Sequence, residues 1–73
     1  MTQKTVDSLI RLVKAGGKLT INANGKSTDS IIRITKAAVA TQNKITFTNI
    51  DNKSTDSLIR IIKAGGEFVE IHL

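Results

Sequence analysis

Helix-spaced and alternating apolar positions take turns along this chain. Val6, Leu9, Ile10 and Val13 are spaced i, i+3, i+4, i+7; Ile31, Ile32 and Thr35, then Leu58, Ile59 and Ile62, repeat most of that stripe. Such spacing keeps apolar side chains on one face of a helix and turns that face toward a core. Leu12, Ile34 and Ile61 lie on the flank of the stripe, where one helix meets the next in a stack. After each helical stretch the period changes. Leu19, Ile21 and Ala23 alternate with Lys18, Thr20 and Asn22, and Ile45 and Phe47 alternate with Lys44, Thr46 and Thr48. Segments 18–23, 44–49 and 67–73 are therefore predicted strands. In the third, Val69, Ile71 and Leu73 compete with Phe68 for the buried side, so its register stays open.

The helices come from one twelve-residue phrase written three times, at 5–16, 27–38 and 54–65. Asp7, Asp29 and Asp56 mark the copies at spacings of 22 and 27 residues, the period range of solenoid and α/β repeat architectures. Each copy opens on Thr5, Ser27 or Ser54, whose side-chain oxygen can accept a first-turn N–H. The Asp two residues on sets negative charge at the positive end of the helix dipole. Copies one and three stop at Gly16-Gly17 and Gly65-Gly66, suited to the left-handed residue that ends a helix. Copy two has Ala38 and Val39 there and four added residues before its strand, which predicts a helix one turn longer, capped by Asn43.

The predicted fold class is α/β: three helix-strand repeats in the order α-β-α-β-α-β, with a parallel three-stranded sheet. One domain spans residues 1–73, with repeats at about 5–26, 27–53 and 54–73. Near-identical helices imply near-identical surroundings, which favours helices on one face of the sheet over a layout on both. Here the chain resembles ribonuclease-inhibitor-like leucine-rich repeats. Leu19-Thr20-Ile21-Asn22-Ala23-Asn24 looks like that family's L-x-L-x-x-N strand and asparagine turn, and a helix follows it. In the second copy Ile50 stands where that pattern has Asn. What the resemblance implies is architectural, an α/β solenoid, and it assigns no binding residues.

Composition narrows the partners. A 73-residue chain buries only about 60% of its unfolded surface, so its stability needs regular packing or self-association. There is no Cys for a disulfide and one His, His72, so neither a structural metal nor any cofactor is implied. No segment approaches the ~18 apolar residues of a membrane span, and Met1-Thr2-Gln3-Lys4 lacks the apolar run of a signal peptide, so no membrane is expected and the cytoplasm is the expected location. The net charge of +5 favours an acidic partner or a nucleic-acid backbone.

That charge is phased. Lys4, Asp7, Arg11 and Lys14; Lys26, Asp29, Arg33 and Lys36; and Lys53, Asp56, Arg60 and Lys63 each form one stripe, together summing to +6 against −1 for everything else. Asp and Arg at i, i+4 are expected to pair within each helix and partly mask the arginines. The remaining cations could still offer a ladder to phosphates or an acidic protein. No Tyr or Trp is available for base stacking. A second candidate surface is the outer side of the sheet, with Thr20, Asn22, Thr46 and Thr48 flanked by Lys18 and Lys44. It faces water, or a second copy covers it. A third is the edge strand with Phe68, Val69, Ile71 and Leu73, which has no Pro or Lys to discourage pairing. Pairing with its mate would run antiparallel and close as a dimer, whereas head-to-tail stacking would be parallel and open-ended.

Catalysis finds no constellation. Ser8, Ser30 and Ser57 adjoin Asp in every copy, but neighbours on a helix point about 100° apart and first-turn serines commonly satisfy free N–H groups. The glycine pairs follow helices, whereas phosphate-cradling loops precede them. The expected protein is a non-enzymatic repeat module that binds other proteins or assembles with itself as a homo-oligomer. The alternative is a nucleic-acid-binding accessory protein that uses the basic ladder.

Overall fold

Three hydroxyl pairs start the three helices. Thr5 Oγ1 accepts the Ser8 N–H at 3.1 Å and donates to Ser8 Oγ at 3.0 Å. Ser27 with Ser30 and Ser54 with Ser57 repeat this arrangement within 0.1 Å. Each pair holds the N-cap and third helical residues together and satisfies one of the backbone donors that a helix start leaves open. The computed structural model describes residues 5–73, so Lys4 of the expected ladder lies outside the described residues. The elements are α1 (Val6–Lys14), β1 (Leu19–Asn22), α2 (Thr28–Thr41), β2 (Ile45–Thr48), α3 (Thr55–Gly65), a 3-10 turn (Gly66–Phe68) and β3 (Val69–Ile71).

The strands form one parallel sheet in the order β1-β2-β3, with Leu19, Ile45 and Val69 in one row and Ile21, Phe47 and Ile71 in the next. Strands advance one place at a time, so crossovers of one hand place both connecting helices on the same side. The helices pack in chain order, α1 on α2 and α2 on α3. The core fills the space between the two layers. Phe47, Ile45, Ile31, Ile34, Ile50, Ile61 and Val13 are fully buried there. Thr35 is the single buried polar side chain among the described residues, and its hydroxyl donates to the Ile31 carbonyl at 2.8 Å.

The helix ends depart from local expectation. Residue 42 caps α2, with Gln42 in the left-handed region at φ 58°, while Asn43 stands one position beyond. The Asn43 side chain is engaged elsewhere: its amide donates to the Val13 carbonyl at 2.8 Å and so ties off the end of α1. In copy three the helix runs through Gly65, and it is Gly66 that takes positive φ. The last strand is correspondingly shorter than residues 67–73, because the 3-10 turn occupies its start.

Gly65 is small for a different reason from Gly16. Gly16 has φ 102° and open space around it, whereas a Cβ on Gly65 would stand 2.7 Å from Thr35 Cγ2 and from Val69 Cβ. Val69 Cβ is fixed to the strand backbone and cannot swing away. Overpacking of this kind costs about 1 to 3 kcal/mol, more than the ~1 kcal/mol that Ala gains over Gly inside a helix. Gly65→Ala is therefore expected to lower stability by a net of about 1 kcal/mol in urea unfolding. A gain in stability would mean that α3 and β3 do not approach so closely.

Candidate functional site

The basic ladder divides into three groups. Lys53 Nζ donates to the Lys26 carbonyl at 2.6 Å, and Lys26 Nζ to the Asn22 carbonyl at 3.2 Å, so both ammonium groups serve the turns that lead from strand to helix. Arg33 and Arg60 are in ion pairs. Arg11, Lys14, Lys36 and Lys63 remain on the outer helix face in contact with solvent. A shallow groove of about 610 Å³ between α1 and α2 is lined by Arg11, Lys14, Arg33 and Lys36, with Asp7 among them.

The ion pairs run between helices and not along them. Arg33 Nη2 meets Asp7 Oδ1 at 3.2 Å, and Arg60 Nη2 meets Asp29 Oδ1 at 3.6 Å. Pairing within a helix, Asp7 to Arg11 or Asp29 to Arg33, is replaced by pairing to the preceding helix. Side chains on a helix lean toward its N-terminus, so an arginine in the second turn reaches back to the first turn of its parallel neighbour. All four groups are well exposed, so each pair is worth little in isolation, on the order of 0.2 to 1 kcal/mol. Their value here is positional: each pair marks the register of one helix on the next. Among the described residues, Arg11 at one end of the series and Asp56 at the other have no ion-pair partner.

The outer side of the sheet carries Thr20, Thr46 and Glu70 in one row and Asn22 beside Thr48 in the next. Thr20 and Asn22 are exposed, while Thr46 and Thr48 on the central strand are half-buried. Asn22 is also a turn residue, since its Oδ1 accepts the Asn24 N–H at 2.8 Å. Glu70 Oε2 and His72 Nε2 are 2.6 Å apart on this face. A cleft of about 310 Å³ opens at one end of the face, where Lys18, Lys44, Glu67 and Phe68 surround Thr20 and Thr46.

The four edge-strand candidates have separate surroundings. Val69 and Ile71 are half-buried against the core, Phe68 sits in the 3-10 turn and lines the cleft, and Leu73 is 84% exposed. What the edge offers is chiefly backbone, because among the described residues β1 and β3 each have a neighbour on one side alone.

The apolar ends of the helix layer show a sharper pattern. At the flank position, Ile34 and Ile61 are 0% exposed while Leu12 is 44% exposed. At the last stripe position, Val13 and Thr35 are 0% exposed while Ile62 is 49% exposed, and Ile59 beside it is 43% exposed. Equivalent residues thus differ in burial according to whether a neighbouring helix follows or precedes them. Sequence periodicity places all of them on a packing surface and does not distinguish the inner copies from the outer ones. No family model matches the chain, and no curated protein or solved structure matches it.

Proposed function

We propose that this protein is a non-enzymatic repeat module that works by association, binding other proteins or assembling with itself as a scaffold. The observation that carries the reading is the pair of apolar end surfaces: Leu12 at one end of the helix layer and Ile62 at the other are the equivalents of residues that are fully buried inside, and Ile59 beside Ile62 is the equivalent of half-buried Ile10 and Ile32. Surfaces built to the same pattern as internal interfaces are suited to interfaces. The polar residues repeated in every copy meanwhile have work in folding. The serines complete the helix caps, and Asp7 and Asp29 register one helix on the next.

Among the described residues no helix is long and apolar enough to cross a membrane, and no group of three His, Cys, Asp or Glu converges. The placement in the cytoplasm rests on composition. A second reading, binding to a nucleic-acid backbone, is favoured by the four cations lining the α1–α2 groove. It is opposed by the aspartates that hold Arg33 and Arg60.

One sedimentation velocity series addresses both readings. The weight-average sedimentation coefficient of the protein alone is expected to rise with concentration into the high micromolar range. A monomer throughout would contradict self-assembly. With labelled duplex DNA added at low salt, the association reading expects the DNA boundary to stay in place. A shift that disappears steeply as salt is raised would establish the second reading instead.

A further inference from the structure

We propose that the end of the molecule formed by α3 and β3 docks on the end formed by α1 and β1 of a second copy, head to tail, so that the assembly repeats the packing already present inside one chain. This rests on the association reading above and specifies its partner and geometry. Four observations converge on it.

The first is the burial pattern. Inside the chain, α1 against α2 and α2 against α3 bury Val13 and Thr35 on one side and Ile34 and Ile61 on the other. A further helix placed beside α3 would cover Ile59 and Ile62, and the helix that presents Leu12 at the matching flank position is α1 of another copy. The second is charge. Each internal interface joins the Asp of one helix to the Arg of the next, Asp7 to Arg33 and Asp29 to Arg60. The pair left over is Asp56 and Arg11, and head-to-tail docking brings them together as the next member of the series.

The third observation is the sheet. β1 and β3 are the two edges of a parallel sheet whose order follows the chain. Adding β1 of one copy beside β3 of another keeps strands parallel and in order while the helices stay on the same side. The fourth separates this geometry from a two-fold dimer. Two α3–β3 edges meeting about a two-fold axis would run antiparallel, so the Asp56 end of α3 would face the Lys63 end of its mate and the Asp-to-Arg series would not continue. Two α1–β1 edges would likewise leave Asp56 without its Arg11. Either leaves half of the apolar end surface exposed. Covering both apolar ends and continuing the Asp-to-Arg series requires the heterologous interface, which continues until a ring closes or a filament forms.

The chain contains no Cys, so a single engineered pair reports the geometry cleanly. Arg11→Cys and Asp56→Cys in one chain alter two exposed side chains, and circular dichroism verifies that the fold is kept. Treated with a short bis-maleimide, this variant is expected to give a ladder of dimer, trimer and larger species on a denaturing gel. Adding Ile62→Glu should weaken association about 30-fold or more and collapse the ladder, as loss of a central apolar contact does. Bands that stop at the dimer would overturn the head-to-tail geometry while leaving self-association intact. So would absence of cross-linking when the wild type sediments as an oligomer. A wild type that sediments as a monomer at the same concentration would remove both.

Discussion

Phe47→Ala is expected to leave the folded state barely populated. Phe47 is the largest fully buried side chain, on the central strand, with Ile21 and Ile71 as its row neighbours. Both flanking strands and the helix layer close over it, so the surrounding backbone has little freedom to collapse into the space. A Phe-to-Ala change at such a site costs about 3 to 5 kcal/mol, the lost transfer energy plus a residual cavity. A domain of 73 residues has roughly 4 to 11 kcal/mol in total at ordinary per-residue stability. The small size of this core, without disulfide or metal, places the protein toward the lower part of that range. Urea unfolding followed by circular dichroism should show the midpoint displaced toward zero denaturant. A loss below about 1 kcal/mol would mean that the central strand is not the centre of the core.

Much of this architecture was legible in the order of apolar and polar residues. The cap residues Thr5, Ser27 and Ser54 located the helix starts, and alternation at Thr20 and Thr46 located the two well-formed strands. The resulting order, one-sided helix layer and parallel pairing follow from short connections and crossover handedness. Local rules failed where a distant partner decided the outcome. Asn43 has the residue type expected at a left-handed cap, yet its amide serves Val13, 30 residues away, and Gln42 takes the strained position. Gly65 has the residue type of a helix stop and is held small by Val69 and Thr35 across the layer. The i, i+4 rule paired Asp29 with Arg33, whereas the parallel neighbour Arg60 takes Asp29 and leaves Arg33 to Asp7.

The candidate surfaces were legible in the same partial way. The cation stripe divides because Lys26 and Lys53 reach backbone carbonyls formed only when a strand turns into a helix. The edge-strand group separates because the 3-10 turn removes Phe68 from the strand. Leu12 and Ile62 could be assigned to packing faces from periodicity, but their exposure depends on which helices exist beside them. That is a property of the whole layer and of no local window.

The second large effect concerns those two residues. Leu12→Glu and Ile62→Glu each place a charge on an end surface that is 44% or 49% exposed at that residue in one chain, so neither should disturb the internal core. Either change is expected to weaken head-to-tail association about 30-fold or more, by burying an unpaired carboxylate where an apolar contact belongs. The two variants block opposite ends. Leu12→Glu retains a competent α3–β3 end, and Ile62→Glu retains a competent α1–β1 end, so one intact interface forms only when they are mixed.

The most direct measurement is therefore sedimentation equilibrium of each variant alone and of the equimolar mixture, at a concentration where the wild type is oligomeric. The expected result is a monomer for each variant and a 1:1 dimer, with no larger species, for the mixture. Leu12→Glu that associates as the wild type does, or a mixture that stays monomeric, would contradict an assembly built by joining the two ends of the stack.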